Sequence, residues 1–140
     1  MELTVKVATP QGVLTFSCEA HHTAAEDERL IEVEFYKKNS VSHTVPEGDH
    51  YELELTTPVW ETITDSRNHV HQNSQTGRRF VCVTNSVPTP AAAKKIFEIW
   101  CLAIAHTIST EEDLFPLLNA NDLHSFEEKL QLNGIELVEA

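Results

Sequence analysis

A chain of 140 residues with 22 acids against 10 bases has the size of a single domain and a net charge of −12 that repels polyanions. Hydrophobic residues at 41% and charged residues at 23% exclude wholesale disorder. Nonspecific nucleic-acid binding is disfavoured, because affinity for phosphate backbones comes from a basic stripe that the sequence lacks.

The front of the chain alternates with the period of a strand. Leu3, Val5 and Val7 alternate with Thr4 and Lys6, Pro10-Gln11-Gly12 supplies a turn, and Val13 to Cys18 returns as the second arm of a hairpin. His21 to Asp27 reads as a polar connection. Leu30 to Tyr36 alternates again, with Ile31, Val33 and Phe35 on one side. Lys37 to Ser40 and Pro46 to Asp49 carry turn chemistry, with a short strand expected between them at Val41 to Val45. Tyr51, Leu53 and Leu55 alternate with Glu52 and Glu54 as a half-buried strand, whereas Pro58 argues against a central strand over Val59, Trp60 and Ile63. Arg79 to Asn85, apolar on both faces through Phe80, Val81, Cys82 and Val83, is the best interior strand.

At Val87 the period changes. Thr89 is placed to cap a helix and Pro90 to occupy its first position, where a missing N–H costs nothing. Ile96, Phe97, Trp100, Cys101, Ile104 and Ile108 then draw one apolar stripe along about five helical turns, wide enough to be buried against the sheet. Ser109-Thr110-Glu111-Glu112 has the form of a capping box and predicts a second, short helix that Pro116 ends or bends. Ser125-Phe126-Glu127-Glu128 repeats the box, with Asn121 as an alternative start, and Asn133-Gly134 is a helix stop before a terminal strand at Ile135 to Val138. The expected architecture is one α+β domain over residues 1–140. Its mostly antiparallel sheet of about five to six strands comes from the N-terminal two thirds, packed against a long buried helix and one or two shorter C-terminal helices.

Ile99 to Ala105, the longest apolar stretch, is far shorter than the roughly 20 residues that span a bilayer. The opening residues Met1 to Lys6 lack the basic and apolar regions of a signal peptide. Cys18, Cys82 and Cys101 are odd in number and form no CxxC pair, which fits free thiols in a reducing compartment. A cytoplasmic, membrane-free protein is the expectation.

Two groups of residues bear on function. Glu32 and Glu34 point outward on one predicted strand, and Glu52 and Glu54 on another; if the strands are neighbours, four like charges share a sheet face that a cationic partner would neutralise. The plainer reading of such a face is a charged surface that keeps sheets from pairing. The second group is a basic island with no acid between Asp65 and Glu98: Arg67, His69, His71, Arg78 and Arg79. A strand through Val70 would project both histidines to one face, and arginines recognise phosphate or carboxylate with two parallel hydrogen bonds. His43 or His50 from a neighbouring strand would add to that site. Its plainer reading is a solvated hairpin, since Asn73 to Gly77 is turn composition.

Nucleotide-binding, serine-hydrolase and zinc-protease motifs are missing, and the four glycines all fall in predicted turns or at a helix stop. No catalytic residue and no cofactor are assigned. The function expected is a non-enzymatic, acidic protein-binding domain, an inhibitor, antagonist or adaptor of a basic protein. The alternative is a small enzyme or ligand-binding domain that holds an anion or metal on segment 67–79.

Overall fold

The computed structural model describes residues 1–27, 29–34, 40–45, 47–57, 69–72, 76–81 and 87–138. Its elements run β1 (Glu2–Thr9), β2 (Gly12–Ala25), β3 (Arg29–Glu34), β4 (Ser40–Val45), β5 (Gly48–Leu55), β6 (Val70–Gln72), β7 (Arg79–Val81), α1 (Pro90–Thr110), α2 (Phe115–Asn119), α3 (Leu123–Leu132) and β8 (Glu136–Leu137). Six strands make one sheet in the order β6-β7-β5-β2-β1-β8, and β3 and β4 form a separate two-stranded sheet. Every pairing is antiparallel. The fold is therefore α+β, an antiparallel sheet with a long helix and two shorter ones.

Alternation decides which face of the sheet is buried. Val5 sits opposite Phe16 and Val7 opposite Leu14, while Cys18 and Ala20 sit opposite Leu55 and Leu53. These positions carry the apolar residues of their strands, so β1, β2 and β5 present one continuous apolar face. α1 covers it. Thr89 caps the helix by accepting the Ala92 N–H at 3.1 Å, Pro90 lies in the first turn, and Ala93, Phe97, Trp100, Cys101, Ile104 and Ala105 are buried. Trp100 meets Phe16 edge-on and stacks on Phe97, with ring centroids 5.9 Å apart in both pairs. No helix among the described residues is long and apolar enough to cross a membrane.

Several boundaries differ from the sequence expectations. The polar stretch after Cys18 is strand, because β2 continues to Ala25 and pairs with β5 along its whole second half. Of the expected stripe Phe97, Trp100, Cys101 and Ile104 are buried and Ile96 is half-buried, whereas Ile108 is exposed. Ser109 and Thr110 do not open a second helix. Thr110 turns its hydroxyl back onto the His106 carbonyl at 2.9 Å, the alternative that a helical Thr always has, and α1 closes at Glu111 in the left-handed conformation with φ 65°. Pro116 then starts α2 rather than ending it. α3 is capped by Asp122, whose carboxylate accepts the Ser125 N–H at 3.1 Å, so neither Ser125 nor Asn121 is the cap. Gly134 takes φ 65° as the expected stop. β7 lies between β5 and β6, an interior place, over Arg79–Val81. Val59, Trp60, Ile63 and residues 82–85 lie outside the described residues.

One buried polar group ties the helices together. His106 Nδ1 lies 3.1 Å from the Glu112 carbonyl oxygen, which only accepts, so Nδ1 carries the hydrogen. Asn133 Nδ2 donates to the Lys129 carbonyl at 2.8 Å, which fixes the orientation of the amide, and lies 3.1 Å from His106 Nε2, which accepts. The imidazole thus joins the end of α1 to the end of α3, and Lys129 pairs with Glu112 at 2.7 Å beside it.

Phe97→Ala is expected to cost about 3–5 kcal/mol, the usual range for a buried phenylalanine. His106→Phe fills the space but removes one hydrogen-bond partner from the Glu112 carbonyl, which keeps Thr107 Oγ1, and one from the Asn133 amide, which keeps the Lys129 carbonyl, and is expected to cost about 1 kcal/mol. Urea unfolding with an unchanged slope measures both; a His106→Phe protein as stable as the parent would show that the network contributes nothing.

Candidate docking face on the open side of the sheet

The face opposite α1 carries the other half of each alternation. Glu2, Thr4 and Lys6 of β1, Thr15, Ser17, Glu19 and His21 of β2, Glu52 and Glu54 of β5, and Phe80 of β7 are exposed or half-buried. Register then sets the electrostatics. Glu2 sits opposite Glu19, and Glu19 opposite Glu54, so three carboxylates stand in one row across β1, β2 and β5. Glu52 follows on β5, opposite His21. Adjacent strands are about 4.8 Å apart, where like charges directly opposite destabilise.

Cations offset part of this row. The Met1 ammonium lies 2.7 Å from Glu19 Oε1. Arg78 grips Glu54 with two parallel hydrogen bonds, Nε to Oε2 at 2.9 Å and Nη2 to Oε1 at 2.8 Å. His21 Nε2 reaches the same Oε1 at 2.7 Å, and since a carboxylate oxygen only accepts, Nε2 carries the hydrogen. Arg78 Nη2 passes 3.4 Å from His21 Nε2, a contact between two donors that share one acceptor. The guanidinium also lies over the Phe80 ring, 5.2 Å from its centroid. The Arg78 hydrogen bonds, helped by His21 and opposed by partial burial, hold the Glu54 carboxyl down at about 2. Among the described residues Glu2 and Glu52 make no salt bridge.

The expected carboxylate face is therefore assembled differently. Glu32 and Glu34 lie on β3, which pairs with β4 and not with β5, so they do not join Glu52 and Glu54 in one sheet. The partners that β5 does acquire are Glu19 and, one strand further, Glu2. Alternation marks those two glutamates as outward-facing, but only strand order, with the β3–β4 hairpin looping out between β2 and β5, brings them to Glu54.

The basic island does not converge either. Arg67 lies outside the described residues. His69 precedes β6 in the left-handed conformation, φ 55°, so strand alternation does not set it beside His71; it stacks on Phe115 with centroids 4.2 Å apart. Burial depresses its pKa, against a smaller opposing pull from Asp113, which leaves a neutral ring rather than a cationic donor. His71 sits in β6 opposite Phe80. Arg78 is committed to Glu54, and Arg79, opposite Gln72, has a buried Nε without a hydrogen-bond partner. His43 lies on β4, in the separate sheet with β3 and opposite Ile31, and His50 is buried, its Nδ1 accepting the Val87 N–H at 3.5 Å. His21 and His22 point to opposite faces as neighbours on a strand do, His22 pairing with Asp49 at 3.0 Å.

No group of three or more histidine, cysteine, aspartate or glutamate side chains able to hold a metal ion occurs among the described residues. Burial pushes the Cys18 thiol up to about 12 and raises that of Cys101 as well, so both are protonated small apolar groups, not nucleophiles.

Because the folded Glu54 has a lower pKa than its unfolded form, its stabilisation is complete above the ordinary value of 4.5 and is lost as pH falls toward about 2. Arg78→Gln is expected to lower the urea midpoint at neutral pH, and the gap from the parent is expected to close across that acidic window; parallel urea titrations through it provide the check. His69 follows the same direction from a different window: its depressed pKa makes the fold less stable as pH drops below 6.5, and His69→Phe is expected to remove that component of the curve. Comparison with known proteins finds no matching family model, no matching curated protein and no matching solved structure.

Proposed function

We propose that this protein is a non-enzymatic binding domain that docks a cationic protein on the open face of its sheet, acting as an inhibitor, antagonist or adaptor. The observation that carries this reading is the row Glu2–Glu19–Glu54, three carboxylates held in register on adjacent strands of a face that α1 does not cover. The Met1 ammonium, His21 and Arg78 meet part of the charge of this row, and a partner's cations would meet the rest. The net charge of −12 adds long-range steering toward the same class of partner. A reducing, cytoplasmic setting goes with this reading and is supported by the free, buried thiols of Cys18 and Cys101.

A small-anion site on segment 67–79 has one observation in its favour, the orphaned Nε of Arg79. Against it stand the commitment of Arg78 to a carboxylate and the neutrality of His69. Docking is the better supported of the two.

The test is a heteronuclear NMR titration with a short, unstructured basic peptide at low and at physiological salt. Shifts are expected to centre on β1, β2 and β5 at their outward positions, to weaken steeply with salt, and to disappear in a Glu2→Gln, Glu19→Gln, Glu52→Gln triple variant. Shifts spread evenly over all acidic side chains, or centred on the helical side, would overturn the proposal.

A further inference from the structure

We infer that Glu54, His21 and Phe80 form a guanidinium-binding site that the chain fills with its own Arg78, and that an arginine of the docked partner exchanges with it. The inference rests on the docking proposal above and narrows its partner to one that presents arginine rather than lysine.

The site has the parts that distinguish arginine. Glu54 offers both carboxylate oxygens to a planar fork, at 2.9 and 2.8 Å. Phe80 offers an aromatic face at 5.2 Å from the guanidinium carbon. His21 steadies the carboxylate through Oε1, the oxygen that Arg78 Nη2 also uses, at 2.7 Å. An ammonium group uses neither the fork nor the stacking as well, being a compact point charge. The occupant is also replaceable. The side chain of Arg78 remains 49% exposed, and it is held by this partially exposed pair rather than by burial. Its backbone precedes β7, and the nearby turn is closed by hydrogen bonds of its own, such as Arg78 N–H to Thr76 Oγ1 at 3.3 Å, that exchange of the side chain leaves intact. Glu54, by contrast, is fixed on β5 between the buried Leu53 and Leu55, with a side chain only 19% exposed. The acceptor sits on a strand between buried neighbours and the donor is half exposed, so an outside arginine can approach the carboxylate that Arg78 occupies.

The experiment compares the affinity of the full chain for an arginine–glycine repeat peptide and for a lysine–glycine repeat peptide, in the parent and in Arg78→Lys, Arg78→Gln, Lys6→Gln and Glu54→Gln. Arg78→Lys is the central variant, because it keeps the net charge and removes only the fork. It is expected to bind the arginine peptide roughly threefold more tightly than the parent, the scale of a partly exposed ion pair, with a smaller gain for the lysine peptide. Arg78→Gln is expected to gain at least as much, and more than Lys6→Gln, which removes an equal charge from the same face. In a Glu54→Gln background the gain from Arg78→Lys is expected to vanish. In the parent, the Arg78 Nε–H resonance is expected to move to the position of a solvated arginine as the arginine peptide saturates the protein.

Equal affinity of the parent and Arg78→Lys for the arginine peptide overturns the inference while leaving the docking face standing. So does an equal gain for both peptides, or an Arg78 resonance that stays in place at saturation. If neither peptide binds the parent or any variant, the docking proposal fails and takes this inference with it.

Discussion

A sheet that can bury only one of its faces is the constraint on which this structure depends. The alternation in β1, β2 and β5 commits every second side chain to α1, with Phe16, Phe97 and Trp100 at the centre of the contact. The charged side chains that alternate with them, Glu2 and Lys6, Glu19 and His21, Glu52 and Glu54, are then carried to the opposite face, whatever their sign. The three facing glutamates are a product of that geometry: their positions are dictated by which neighbours had to be apolar, and their proximity by strand order.

Charge compensation on that face is local and incomplete. Arg78 and His21 converge on one glutamate, and the terminal ammonium on another, while Glu2 and Glu52 lie among groups that supply no salt bridge within the described residues. Partially exposed pairs of this kind contribute little to stability and leave a net negative field on the face. The same chemistry explains why the basic island does not behave as one. Its members are distributed between a carboxylate (Arg78), an aromatic ring (His69) and a place in β7 where the Nε is buried without a hydrogen-bond partner (Arg79), so they do not converge on one point.

How much of this was legible in the sequence follows from the range of the forces involved. Local signals were sufficient where local chemistry decides: the Thr89 cap, Pro90, the stripe through Phe97, Trp100 and Ile104, and the stop at Gly134 all stand where the pattern places them. They misled where one motif has two outcomes. The Ser109–Glu112 box has the form of a start, but Thr110 satisfies its hydroxyl inside the preceding helix instead. Polarity misled at His21 to Ala25, since an open-faced sheet accepts polar residues on one side without ceasing to be a strand. The candidate site was half legible. Glu52 and Glu54 could be picked out as outward-facing, but their partners Glu19 and Arg78 are 35 and 24 residues from Glu54, and no periodicity encodes pairing across that distance.

The pairing of Val7 with Leu137 carries a consequence for how the chain acquires its shape. β1 leaves a ribosome 130 residues (Val7 to Leu137) ahead of the strand that covers its outer edge. Until β8 arrives, β1 presents bare amides and carbonyls, the template on which foreign strands add. Contacts of such sequence separation also slow folding, because the loop they close is formed before they repay it. The acidic side chain of Glu2, on β1 itself, then serves the nascent protein as well as the finished one, by keeping neighbouring chains apart during the wait.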